Sequence, residues 1–97
     1  MTELEFIDEV VSIWQAAGEP DQWLRMRVEA AYRSYAQQFK WSLAYKTKEL
    51  ERFRGRLKEQ EGELLEQMQA AGIAPDRAAA LVRLVHEIIS DDLAASA

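Results

Sequence analysis

The chain has 97 residues, of which 48% are hydrophobic and 30% charged, the balance of one folded domain spanning residues 1–97 rather than of a disordered segment. It has no cysteine, which excludes disulfide frameworks and thiolate metal sites. Its four glycines and two prolines are too few for the many turns of a small β-barrel or sandwich, so the fold class expected is all-α.

The start Met1-Thr2-Glu3-Leu4-Glu5 is acidic where a secretory signal needs positive charge, and no apolar run approaches the ~20 residues that cross a bilayer. A cytoplasmic location without membrane contact is the expectation. The formal net charge of −5 conceals a segregation. Residues 23 to 58 hold ten basic side chains against three acidic ones, Glu29, Glu49 and Glu51, whereas the two flanks together hold fourteen acidic against two basic.

Thr2 and Glu5 have the spacing of a capping box, which predicts a first helix over about residues 3–17. Within it Leu4, Ile7, Val11 and Trp14 interleave with Phe6, Val10, Ile13 and Ala17, an apolar arc covering about half the circumference. Gly18 and Pro20 then punctuate its end.

From Pro20 to Ala71 the interruptions are Gly55 and Gly62, and a single glycine costs a helix about 1 kcal/mol without stopping it. Leu24, Val28, Ala31, Tyr35, Phe39, Leu43, Leu50, Phe53, Leu57, Leu64 and Met68 keep one helical phase across this segment. The spacing therefore predicts a very long central helix over about 20–71, with a possible break near residues 37–42. Trp23, Met26, Ala30, Trp41, Ala44 and Tyr45 form a second apolar patch, so the first half of this helix is expected to be covered on two sides. Gly72, Pro75 and Asp76 repeat the punctuation and open a third helix over about 75–93, whose apolar stripe includes Leu81, Val85, Ile88 and Ile89.

A helix of about 50 residues would be ~75 Å long, which two short flanking helices cannot cover. Three helices with a dimeric, coiled-coil-like burial of the long one follow as the expected architecture, and a homodimer as the expected state. The alternative is a break near Gln37–Ser42 and a compact bundle. The repeat Leu43, Leu50, Leu57, Leu64 suggests a zipper, but the companion positions Lys46, Gln60 and Gln67 are polar. These leucines with Phe53 are better read as one row of a wider dimer or core stripe.

Candidate chemistry is sparse. The lone His86 has no metal-binding companions, and no Glu-x-x-His pair, phosphate loop or nucleophile elbow occurs. No cofactor, metal or catalytic residue is expected, and the chain reads as something other than an enzyme. The basic tract Lys46, Lys48, Arg52, Arg54, Arg56, Lys58 could bind phosphate backbones, yet Glu49 and Glu51 lie within it and Glu59, Glu61, Glu63 and Glu66 follow at once. Charge pairing or an acidic protein partner suits it better. The favoured reading is a non-catalytic protein-interaction module, regulator or inhibitor, whose contact residues would be Trp41, Tyr45, Lys48, Arg52 and Arg56. A nucleic-acid binder using residues 46–58 and a structural subunit of a larger assembly are the alternatives.

Overall fold

The computed structural model describes residues 1–17 and 22–95. Among these are five α-helices: α1 (Glu3–Ala17), α2 (Gln22–Ala36), α3 (Leu43–Glu59), α4 (Glu61–Ala70) and α5 (Pro75–Ala95), with a single 3₁₀ turn, Gln37–Phe39, between α2 and α3. The Gly18 and Pro20 punctuation lies outside the described residues.

The one-helix reading of residues 20–71 is corrected. The radius of gyration is 13.1 Å and the longest dimension 39 Å, about half the length of the rod that a continuous helix would form. The break falls where α2 tightens into the 3₁₀ turn. Ser42 then adopts an extended backbone (φ −157°, ψ 149°), and its hydroxyl accepts the Tyr45 N–H at 3.0 Å. That is an N-cap, which relieves an otherwise unpaired amide of α3. A second interruption at Gln60 is milder, because the Gln60 N–H still donates to the Arg56 carbonyl and Leu64 N–H to the Gln60 carbonyl. It bends the ladder without ending it, and separates α3 from α4.

Phase continuity failed as evidence for continuity because each piece turns its own apolar row inward. Leu24, Val28, Ala31, Tyr35, Leu50, Phe53, Leu57 and Met68 are all buried, on separate helices folded over one another. The zipper row is divided accordingly: Leu50 and Leu57 are core, Leu64 is half-buried, and Leu43 is 57% exposed. With the stripe covered inside one chain, the coiled-coil dimer expected as the architecture loses its physical reason.

Helix α1 starts with the capping box, the Glu5 N–H donating to Thr2 Oγ1 at 3.1 Å and the Thr2 N–H to Glu5 Oε1 at 3.4 Å. It packs mainly on α2. Helix α4 ends in a Schellman motif: the Ile73 N–H donates to the Met68 carbonyl and the Gly72 N–H to the Gln69 carbonyl, both at 3.0 Å. Gly72 has φ +90°, a region in which a Cβ is strained, and buried Ile73 and Met68 complete the motif. The chain so reversed returns as α5, which lies against α2, α3 and α4. Trp14 on α1 is buried under Arg77 of α5, whose guanidinium carbon lies 5.4 Å from the ring centroid while Nη2 donates to the Trp14 carbonyl at 2.9 Å.

The centre of the core is aromatic. Phe6 stacks on Tyr35 (5.3 Å between centroids, 17° between planes) and meets Phe53 edge-on at 5.7 Å, while Tyr35 meets Phe53 at 5.0 Å and Phe39 at 5.4 Å. These contacts tie α1, α2, the 3₁₀ turn and α3 together, each adding about 0.5–1.5 kcal/mol beyond area burial.

Two predictions follow from this packing. Phe53→Ala is expected to lower unfolding free energy by about 3–5 kcal/mol, whereas Leu43→Ala, in the same leucine-bearing helix, changes it by less than about 0.5 kcal/mol; urea denaturation distinguishes them, and equal costs would restore the zipper. Gly55→Ala meets nothing within 4 Å in the middle of α3 and should stabilise by about 0.5–1 kcal/mol, while Gly72→Ala, equally free of clashes but at positive φ, should destabilise by about 1 kcal/mol.

Candidate functional site

The aromatic core continues to the surface. Phe39 is buried at the 3₁₀ turn and meets Tyr45 at 5.8 Å, and Tyr45 in turn packs on Trp41 at 5.1 Å. Exposure rises along this series, to 37% for Tyr45 and 78% for Trp41. Leu43 lies between them in sequence and is also exposed. Tyr45, Lys48 and Arg52 follow one another at i, i+3 and i+7 on the solvent face of α3. Trp41, Tyr45, Lys48 and Arg52 therefore form one surface with an aromatic end and a cationic end, and Leu43 projects from the other side of α3.

Arg56, the fifth contact residue expected from sequence, is committed elsewhere. Its Nη2 and Nε donate to Glu3 at 2.6 and 3.0 Å, pinning the start of α1 to α3, and the Glu3 carboxylate raises the Arg56 pKa further above its ordinary value. The expectation that the second apolar patch is covered is also corrected: Trp23 is 59% and Met26 57% exposed, and Ala30 and Ala44 are exposed as well. They point outward because α2 already buries its opposite face, Leu24, Val28, Tyr32 and Tyr35, against the core.

The basic tract is largely occupied within the chain. Lys46 Nζ pairs with Asp92 at 3.2 Å, Arg54 donates to Ser90 Oγ at 3.3 Å, Arg56 holds Glu3, and Arg52 lies 3.2 Å from Glu49. Lys48 and Lys58 have no carboxylate within salt-bridge distance among the described residues. The acidic flanks thus fold back onto the basic middle of their own chain, an arrangement that sequence reasoning assigned to solvent or to a second chain. Asp92 was missed altogether, though its position in a C-terminal segment richer in acid than base was a signal. Beyond Lys46 it accepts the Tyr32 hydroxyl at 2.6 Å.

That network crosses the floor of an open groove of about 620 Å³ between α2, the 3₁₀ turn and α5, where Tyr32, Arg33, Lys40, Lys46, Asp91 and Asp92 gather. Tyr32 and Lys46 both donate to the Asp92 carboxylate, which holds α2 and α3 to α5. Burial, then the bond to Asp92, pushes the Tyr32 pKa up, and burial pushes that of Tyr35 up to about 12. His86 is half-buried on α5. Among the described residues no group of three or more His, Cys, Asp or Glu side chains is placed to hold a metal ion, and no helix is long and apolar enough to cross a membrane.

The tyrosine shifts predict an alkaline limit to stability. An unfolded tyrosine releases its proton near pH 10, whereas folded Tyr35 retains it until about pH 12, so stability is complete below about pH 10 and falls between these values. Urea midpoints measured from about pH 9 to 11.5 should fall less steeply for Tyr35→Phe than for the parent; identical slopes would remove Tyr35 from the account. No protein-family model, no curated protein and no solved structure matches the chain.

Proposed function

We propose that this protein is a non-catalytic interaction module, of the regulator or inhibitor kind, that docks the Trp41, Tyr45, Lys48 and Arg52 surface onto a partner protein bearing an acidic, apolar-anchored segment. The observation carrying this reading is the 78% exposed Trp41 ring, held in place by Tyr45, which is itself seated on core Phe39. Tryptophan, tyrosine and arginine are the residues in which binding energy concentrates at interfaces. Holding the rings by packing before the encounter reduces the entropy lost on association. The adjoining cations favour a negatively charged partner and speed its approach.

Nucleic acid is a weaker candidate. A basic tract that binds phosphates must release its cations to them, and Lys46, Arg54 and Arg56 are engaged by α5 and α1. Compactness alone would have freed the tract, but the same folding brings the acidic flanks onto it. A second copy of the chain and a larger assembly are tested by the same experiment as the docking surface.

Peptides selected against the purified protein from a random display library should converge on acidic sequences with one or two large apolar anchors. Their affinity should fall at least about tenfold in Trp41→Ala/Arg52→Glu, while the thermal midpoint stays within about 2 °C of the parent, because both side chains are exposed. Selected peptides that bind the double variant as tightly as the parent contradict the assignment. Light scattering that gives a dimer dissociated by the same double variant would assign the surface to self-association instead.

A further inference from the structure

The end of α5 is held by polar contacts more than by packing. Ile88 and Ile89 are its last buried residues, 6% and 0% exposed, and the helix runs on through residues 90–95 with no buried side chain. Leu93 alone keeps partial contact with the core there. Arg54 Nη1 donates to Ser90 Oγ at 3.3 Å, and Arg25 Nη2 lies 3.4 Å from Asp91 Oδ2. Asp92 accepts the Tyr32 hydroxyl at 2.6 Å and Lys46 Nζ at 3.2 Å. Three consecutive residues thus reach α2 and α3 together. A helix end anchored in this way opens at a lower free energy than the core it adjoins, and it can lift past Ile89 without unpacking it.

The same residues decide the charge of the groove between α2, the 3₁₀ turn and α5. Its lining holds three cations, Arg33, Lys40 and Lys46, against three carboxylates, Glu29, Asp91 and Asp92. All three carboxylates are engaged: Glu29 by Arg25 and Arg33, Asp91 by Arg25, and Asp92 by Tyr32 and Lys46. Lys40 has no carboxylate within salt-bridge distance among the described residues. Closed, the groove is neutral and offers an anion no net attraction. With the end of α5 lifted away, Asp91 and Asp92 leave, and Arg33, Lys40 and Lys46 remain with Glu29 as the one carboxylate of that lining.

We propose that the end of α5, residues 90–95, is an autoinhibitory latch: it fills the cationic groove as an internal acidic ligand and yields it to an acidic segment of a partner protein. The latch itself shows the chemistry its replacement needs. That is a carboxylate for Lys46 and the Tyr32 hydroxyl, with an apolar side chain next to it where Leu93 now packs. A nucleic-acid backbone supplies the charge but nothing to take the place of Leu93. The inference does not rest on the Trp41 surface, none of whose residues lines this groove.

Asp91→Ala/Asp92→Ala removes both carboxylates of the latch and leaves better helix formers in their place. In this variant the amides of Leu93 and Ala94 should exchange with solvent at least about fivefold faster than in the parent, although alanine by itself would slow them, while the Val85 amide stays within about twofold. Fluorescently labelled polyglutamate of about 20 residues, titrated at about 20 mM salt with anisotropy as the readout, should bind the variant at least about fivefold more tightly than the parent. Glu61→Ala/Glu63→Ala, which takes the same charge from α4, should gain less than about twofold, and adding Lys40→Gln/Lys46→Gln to the latch variant should abolish its gain. The latch is overturned by unchanged exchange at Leu93, by an equal gain in the α4 variant, or by a gain that survives loss of the two lysines. Tighter binding of single-stranded DNA with none of polyglutamate would overturn the assignment to an acidic protein segment.

Discussion

The structure depends on the contact of Phe6 with Tyr35 and Phe53. These rings come from α1, α2 and α3, and their mutual geometry, one stacked pair and two edge-on contacts, is satisfied when α2 and α3 fold back on each other. A continuous helix through residues 37–42 would hold Tyr35 and Phe53 about 27 Å apart. Burying them together with Phe39 is worth several kcal/mol, more than the few backbone hydrogen bonds lost at the break, some of which Ser42 and the 3₁₀ turn restore. The break is thus a consequence of core formation, and the exposed Trp41 follows from it: the residues that turn the chain cannot all face inward, and Tyr45 on Phe39 supports the ring that is left outside.

Charge acts on top of this packing and does not replace it. Glu3 on Arg56, Asp92 on Lys46, and Glu87 with Asp91 on Arg25 each join an acidic end of the chain to the basic middle. Their side chains are between a quarter and three quarters exposed, so individually they contribute about 1 kcal/mol or less. Their consequence is geometric. They join α1 and α5 to α2 and α3, and they occupy Lys46 and Arg56 of the basic tract that sequence inspection would offer to nucleic acid. What remains outside is polarised, with Lys48 and Arg52 exposed on the Tyr45 face of α3 and no lysine or arginine on α1 or α4.

Local signals were legible in the sequence where they involve one turn of chain. The Thr2/Glu5 capping box and the Gly72–Pro75 punctuation correspond to hydrogen bonds that the structure contains. The apolar row from Leu24 to Met68 was legible as core, but not the number of helices carrying it. Residues 37–42 hold neither glycine nor proline, and the apolar positions on either side of them keep one 100° register in the sequence, so periodicity could not register the interruption. Ser42 was the one local sign, and it lacks the glutamate three residues on that would have marked a capping box. Exposure of Trp41 and Tyr45 was anticipated, whereas that of Trp23, Met26 and Leu43 was not, because amphipathicity judged against a single long axis assigns faces that change when the axis folds. The engagement of Arg56 and Lys46 joins residues more than forty positions apart, for which sequence spacing carries no information.

Small-angle X-ray scattering with an absolute mass on the purified chain tests most directly whether one copy completes its own core. The account predicts a mass of 11.1 kDa and a radius of gyration close to the 13.1 Å of the Cα trace, with a small allowance for hydration. A particle of twice that mass with a radius above about 20 Å, as a rod of ~75 Å requires, would contradict it and place the core between two chains.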